Sequence, residues 1–426
     1  ISHLDRKGVG VGKTHTGGEL KVPYTLPGEL VEAQKLRRRD GRLLQVTEPS
    51  LHRIEPDCCH FSDCGGCSWQ HIDYAYQLQL KRERVADRLR EFDFPIRAEN
   101  LEIDASEPFA YRNRMDFLWW FNGDFGLRRR GKWYSAVNLH ECHLLPKSVM
   151  DVALEVNRRV QKMGFTFRDS KNHTGGLRYL IIRHGVFTQN IMLSFVSDPM
   201  PIPASLWDGL DEVISVYQLI NDNAENDLSD GEAVHLWGEP YYYEKIGSHK
   251  FCVGPRSFFQ PNPAVATRMV SHLRDGVSSL DSRKGLIDLY CGIGLFTISL
   301  ADCFEKGMGI ENNPEAIALA KRNAWGLSGR SPVHFVCMDA EKWDWERLQN
   351  YDTLLIDPPR TGLHDSVLAL LKRRPFPQLI YVSCNPTRGI ADLAQLQEVY
   401  ELASMKLFDQ FPQTPHVEFI AFLRRK

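Results

Sequence analysis

Over the first fifty residues apolar and polar positions alternate in short bursts, GVGVG, ELKVPY, LPGELVEAQKL and RLLQVTE, separated by Gly and Pro. Period-two patterning between turn formers predicts short strands, and so short an all-β segment closes most simply as a small β-barrel. Residues 1–52 are assigned to it. The period then changes. In YAYQLQLKRERVADRLREF the apolar residues recur at helical spacing and predict a helix from about Tyr74 to Phe92. After it RMDFLWWF, LRYLIIRHG and QNIMLSFVS return to strand-like runs, so residues 53–254 read as a mixed, mostly β central domain. From about Pro255 strands and helices alternate: LIDLY, LFTISLADC, GMGIE, PEAIALAKRNA, VHFVCMD, TLLIDPP, VLALLKR, LIYVSCN. That rhythm predicts an α/β unit with a parallel doubly wound sheet over residues 255–426. YELASMKLFDQFP and HVEFIAFLRRK follow with only a turn between them and predict an antiparallel hairpin at the sheet edge.

A chain of 426 residues fits two or three such units. Its 43% hydrophobic, 25% charged and 11% aromatic content excludes the disordered and membrane classes. The opening ISHLDRKGVG has no positive-then-apolar leader, which sets a cytoplasmic location as the expectation, with no membrane association and a monomer without an obligate protein partner. The net charge of -2 conceals basic clusters at Arg37, Arg38, Arg39 and at Arg128, Arg129, Arg130, so nucleic acid stays open as a partner. Four of the ten Cys (Cys58, Cys59, Cys64, Cys67) fall in one short segment, which in a cytosolic chain points to metal rather than to disulfides.

Asp288-Leu289-Tyr290-Cys291-Gly292-Ile293-Gly294 ends the first strand of the C-terminal sheet, where the glycines permit a tight turn close to a ligand. Glu311, at the end of the next strand and about twenty residues on, is placed to bind ribose hydroxyls. A third glycine at dinucleotide spacing is missing, so a pyrophosphate has no cradle. The ligand reads as a nucleoside without phosphates. S-adenosylmethionine fits, with Asp339 near the adenine; a dinucleotide site or a plain structural turn is the alternative.

Asp357-Pro358-Pro359-Arg360 closes the fourth strand and Ser383-Cys384-Asn385-Pro386 the fifth, so both project into the same carboxyl-edge crevice. A Cys beside a helix start is a candidate nucleophile whose thiolate the helix amides stabilise, whereas most free Cys are small buried hydrophobes. Carbon 5 of a pyrimidine is a poor nucleophile, and methylating it calls for a thiolate added at carbon 6 and a base that later removes the carbon 5 proton. Cys384 suits the first task. Glu418, between the two terminal β segments, suits the second, although a Glu beside a strand is more often simply solvated; His416 is a second candidate base.

Cys58, Cys64, Cys67 and the distant Cys142 supply four thiolates for a [4Fe–4S] cluster or for zinc, and three in one loop plus one remote Cys favours iron–sulfur. Cys59 competes as a ligand. Neither choice has the spacing of radical S-adenosylmethionine enzymes. Between Tyr111 and Tyr134 the chain interleaves Arg112, Arg114, Arg128, Arg129, Arg130 and Lys132 with Phe117, Trp119, Trp120, Phe121, Phe125 and Trp133. That composition suits phosphates and unpaired bases, or equally a β hairpin with an aromatic core.

CGGCSWQH, the QLQLK helix, SFFQPN, DLYCGIG, DPPR, SCNP and HVE, in this order along the whole chain, resemble the RNA 5-methyluridine methyltransferase family, in particular its iron–sulfur branch, which includes enzymes of 23S ribosomal RNA. The resemblance implies a class I S-adenosylmethionine methyltransferase fold, Rossmann-like with an antiparallel terminal hairpin, behind an N-terminal TRAM barrel. It also implies that the helix of residues 71–95 packs with the catalytic domain. It makes Cys384 the nucleophile, Glu418 the base, Gln260, Tyr290, Glu311, Asp339 and Asp357 the cofactor contacts, and Cys58, Cys64, Cys67 and Cys142 the cluster ligands. Leu295 departs from members with Asn there, and Cys59 is an addition. The expected activity is methylation of carbon 5 of a uridine in RNA, with 23S ribosomal RNA first and uridine-54 of transfer RNA as the alternative. An RNA 5-methylcytidine methyltransferase would carry a Cys beside the Pro of DPPR, which is absent, and a non-catalytic iron–sulfur RNA-binding protein would have lost the catalytic residues, which are present.

Overall fold

The computed structural model describes the whole chain except residues 170–174, 222–230, 328–331, 343–347 and 349. The alternating C-terminal pattern forms an eight-stranded sheet in the order Val333–Cys337, Gly307–Glu311, Leu286–Leu289, Thr353–Ile356, Gln378–Ser383, Glu418–Arg425, Tyr400–Phe408, Glu102–Asp104. The first five strands are parallel. Runs such as LIDL and TLLI are buried at every position, as strands covered on both faces require. Helices Pro263–Ser278 and Pro314–Ala324 share one core with the sheet, and Asp365–Arg373 and Pro386–Leu396 share the other. Strand order reverses between Leu286–Leu289 and its two neighbours, which opens a crevice at the carboxyl ends.

Glu418–Arg425 runs antiparallel to both of its neighbours. The hairpin is not the sheet edge that its sequence predicts, because Glu102–Asp104 pairs in parallel with Lys406–Phe408 outside it. Three residues carry too little pattern to be read as a strand, yet they cover an edge that would otherwise be open to foreign pairing. Helix Tyr74–Arg90, capped by Asp73 accepting from the Tyr76 amide at 3.2 Å, puts Val85, Ala86 and Leu89 into the same core.

The central residues form a seven-stranded sheet with Leu177–His184 in its middle, paired to Ile191–Ser197 on one side and Arg114–Trp119 on the other. Helix Lys147–Met163 packs on it through Val149, Ala153, Val156 and Val160, spaced four, three and four residues apart, and ends at Gly164, whose φ of +70° is the left-handed stop that glycine permits. The N-terminal strands make a three-stranded and a two-stranded sheet joined by a bridge from Lys21 to Asp40, a barrel-like arrangement. Among the described residues no helix is long and apolar enough to cross a membrane.

Candidate active site

One open cleft at the carboxyl ends of the parallel strands is lined by Gln260, Tyr290, Glu311, Asp357, Cys384 and Glu418, brought together from six separate segments. The last two meet through strand register. The ladder ends at Ser383 paired with Phe419, the neighbours of Cys384 and Glu418, which brings the thiol within electrostatic reach of the carboxyl in one cleft. Glu418 is 3% exposed. Burial and then the nearby Asp357 push its carboxyl up to about 8, while Arg360 opposes them. Asp357 itself rises to about 7 through burial. The thiol of Cys384 is pushed up to about 11 by burial, then by Glu418 and Asp357. This reverses the expectation of a thiolate favoured by helix amides: two facing carboxyls and the loss of water outweigh the helix N-terminus. His416 is exposed to solvent. Its imidazole is held down at about 4 by the surrounding protein and then by Arg360, Lys81, Arg84 and Arg112, which makes it a weak base.

The loop bearing Asp357 and Arg360 is tied to the nucleophile turn. Asn385 Nδ2 donates to the Arg360 carbonyl at 2.9 Å. Buried Asp392 accepts from Leu363 N at 2.8 Å and from Tyr381 Oη at 2.7 Å. On the cofactor side, Glu311 accepts from Gly292 N at 3.2 Å and from Asn313 N at 2.9 Å. The turn before it holds Tyr290 at a φ of +68° and Gly292 at +54°, and a Cβ on Gly292 would meet no atom within 4 Å, leaving open space over the backbone. Asp288, which sequence reasoning passed over, is buried beneath this turn and accepts from Thr297 N at 2.9 Å and Oγ1 at 2.5 Å. Glu311 beside this turn, with open space over Gly292, fits a nucleoside ligand. Gln260 is held by Asn113, whose side-chain amide donates to the Gln260 carbonyl at 2.8 Å, and by Gln410 at 3.3 Å to its side-chain oxygen.

Asp339 is the exception. It stays out of the cleft lining, its carboxylate drawn to Lys342 Nζ at 2.6 Å and Asn312 Nδ2 at 3.3 Å, and its pKa is lowered by both. Asn312 and Glu341 line the cleft there instead. Both lie within two residues of positions singled out by motif, which was the only signal for them.

Cys58, Cys64, Cys67 and Cys142 line one small cavity, whereas Cys59 is exposed and outside it. Burial, and then in part the other thiols, push Cys67 up to about 12 and Cys142, which Arg112 opposes, up to about 11. Such a set resists ionising together unless a cation takes the protons' place. Among the described residues no three His, Cys, Asp or Glu side chains close on a single ion position. A lone zinc would draw its sulfurs to about 3.8 Å of one another, from a Zn–S bond of about 2.3 Å. Four thiols around one small cavity are a donor set of the kind that zinc or a [4Fe–4S] cluster takes.

The basic-aromatic stretch divides by function. Phe117, Trp119 and Phe125 are core, at most 1% exposed, so these aromatics are not free to stack on bases; Phe121 at the turn is 57% exposed. The side chain of Trp133 lies outside the described residues. Arg112, Arg114 and Arg128 line the cleft, Arg129 pairs with Asp63, and Arg130 lies over the Tyr24 ring at 4.7 Å. Arg183, near the end of the strand LRYLIIRH, borders the same cleft with 1% exposure, its guanidinium pushed down to about 10 by burial and then by Arg114.

Comparison with known proteins adds three findings. The profile of the tRNA (uracil-5-)-methyltransferase family matches residues 248–426. The chain is 32% identical over 412 residues to the tRNA (uracil(54)-C(5))-methyltransferase of Pyrococcus horikoshii, covering 95% of this chain and 96% of that one. It is 33% identical to an uncharacterized RNA methyltransferase of Oceanobacillus iheyensis, covering 99% and 95%. The crystal structure of Pyrococcus abyssi tRNA (uracil-54, C5)-methyltransferase in complex with S-adenosyl-L-homocysteine superposes with a TM-score of 0.81 at 28% identity, covering 99% of both chains. With the same motifs gathered in one cleft of the same fold, the chain belongs to the family of S-adenosylmethionine-dependent RNA (uracil-C5) methyltransferases.

Proposed function

We propose that the protein methylates carbon 5 of uridine-54 in transfer RNA through a covalent bond between Cys384 and carbon 6 of the base. The observation that carries the covalent route is the meeting of Cys384 and Glu418 in one cleft, next to the last register pair of their strands, Ser383 with Phe419. S-adenosylmethionine, when bound, supplies a methyl group on a cationic sulfur. Glu311 and Tyr290 would hold its nucleoside, with Gln260 and Asp357 toward the reacting end. Cys384 loses its proton to solvent and adds to carbon 6, so that carbon 5 gains the electron pair that accepts the methyl group. Glu418 as carboxylate then takes the carbon 5 proton, and the thiolate leaves with the restored double bond. His416 is a poorer choice, because it is exposed and stands outside the lining of the cleft that holds Glu418.

Transfer RNA replaces the ribosomal target expected from motif order, since the named relatives that match over nearly the whole chain carry tRNA uracil-54 in their names. Ribosomal RNA is the second reading, favoured by the cysteine-lined cavity. Cys58, Cys64, Cys67 and Cys142 would hold a [4Fe–4S] cluster, whose part is structural, as no electron transfer enters the methylation. Incubating the protein with radiolabelled S-adenosylmethionine and unmodified transfer RNA, or with 23S ribosomal RNA, decides the target. Label at uridine-54 of the transfer RNA is expected; label confined to the ribosomal RNA would overturn the assignment.

A further inference from the structure

The QLQLK helix that the motif order singles out has no part in the chemistry above, yet its polar side chains reach both halves of the site. Tyr74, Gln77, Lys81, Arg84 and Arg88 follow one another at intervals of three, four, three and four residues, which confines them to an arc of about 80° on one helix face. Tyr74 Oη donates to Asp409 Oδ2 at 3.0 Å. Gln77, fully buried, exchanges two hydrogen bonds with Gln413, giving its side-chain amide to Gln413 Oε1 at 2.9 Å and accepting from Gln413 N at 3.1 Å. Lys81, also fully buried, pairs with Asp409 at 2.6 Å and donates to the Phe411 carbonyl at 3.2 Å. Arg84 donates to the Pro415 carbonyl at 2.8 Å, three residues before Glu418. Arg88 donates twice to the Thr387 carbonyl, at 3.2 and 3.1 Å, three residues after Cys384.

We propose that this stripe is a positioning device that sets Glu418 against Cys384, gripping the base loop through Tyr74, Gln77, Lys81 and Arg84 and the nucleophile turn through Arg88. It rests on the reading of Glu418 as the base. The chain pays a desolvation cost for Lys81 and Asp409 that a stripe of apolar residues would avoid. What the charged pair adds is a fixed register between helix and loop, because a buried hydrogen-bonded pair tolerates little sliding. Gln413, at a φ of +65°, also accepts from Ser68 N and Trp69 N at 3.0 Å each, so the segment next to Cys67 meets the same loop.

The two ends of the stripe act at different steps, and this separates positioning from plain support. Gln77→Met, and Lys81→Met together with Asp409→Leu, which leaves no lone buried charge, are compared with Glu418→Gln and the parent chain on a transfer RNA transcript. In the first two, the first-turnover methyl transfer should stay within about twofold of the parent while steady-state turnover falls about tenfold or more, and a methylated covalent protein–RNA adduct should accumulate on a denaturing gel. Arg88→Met should show the opposite signature, a slower first turnover without adduct. Equal loss of both rates without adduct in the first two, or loss of the cooperative melt in both, would overturn the proposal and leave the stripe a structural tie. If Glu418→Gln itself turns over normally, the base assignment fails, independently of the stripe.

Discussion

At the residue scale the pair Cys384 and Glu418 carries opposite demands. Burial favours the protonated form of both in the free protein, raising Glu418 to about 8 and Cys384 to about 11. The thiolate must form to add and the carboxylate must be free to accept, so kcat/KM should rise with pH through the range near 8, measured between pH 6 and 9.5. Because Asp357 and Glu418 influence one another, the inflection belongs to the coupled pair. Stability should run the other way. A carboxyl raised in the folded state binds its proton there while the unfolded chain has lost it, so stability falls as pH rises from the ordinary carboxylate range to about 8. Urea midpoints at pH 6 and 8.5 test this, and a higher midpoint at pH 8.5 would count against the buried pair. Glu418→Gln should trap the methylated adduct, and Cys384→Ala should abolish it while RNA still binds.

At the element scale, helix Pro386–Leu396 is pressed against the strand that carries the nucleophile. A Cβ added to Gly389 would stand 2.6 Å from Ser383 Oγ and 2.8 Å from Phe419 Cζ, the two residues of the last register pair before Cys384 and Glu418. Alanine there gains about 1 kcal/mol of helix propensity, but overpacking costs about 1–3 kcal/mol. Gly389→Ala should therefore be neutral to mildly destabilising in denaturant unfolding, and Gly389→Val clearly destabilising with a larger loss of turnover. A stabilised Gly389→Val would show that helix and strand have room to part.

At the scale of the whole molecule, the cysteine cavity joins the loop after the barrel to the far end of the central hairpin. Protein purified without oxygen should be brown, and Cys142→Ser should bleach it while Cys59→Ser should not, since Cys59 lies outside the cavity. Zinc without sulfide would sink the cluster. Arg112, Arg114 and Arg128 line the cleft in a chain of net charge -2, so RNA affinity should fall with salt although the protein is not basic overall.

Local order is what the sequence by itself determined. The strand–helix rhythm after Pro255 named the sheet, and the strand ends named Glu311, Asp357 and Cys384, because in a parallel sheet every strand delivers its last residues to the same crevice. The family motifs added Gln260, Tyr290 and Glu418, each of which lines that crevice. Tertiary structure decided what depends on neighbours distant in the chain. Register set Ser383 against Phe419 and so brought Glu418 near Cys384, and burial, then the neighbouring Glu418 and Asp357, made the thiol harder rather than easier to ionise. Asp339 meets Lys342 and Asn312, partners that no motif foretells, and is not among the residues that line the cleft. Glu102–Asp104 became a sheet edge, and the helix of Tyr74 a brace for two loops, because pairing and packing join residues some three hundred positions apart, whereas periodicity speaks only for neighbours along the chain.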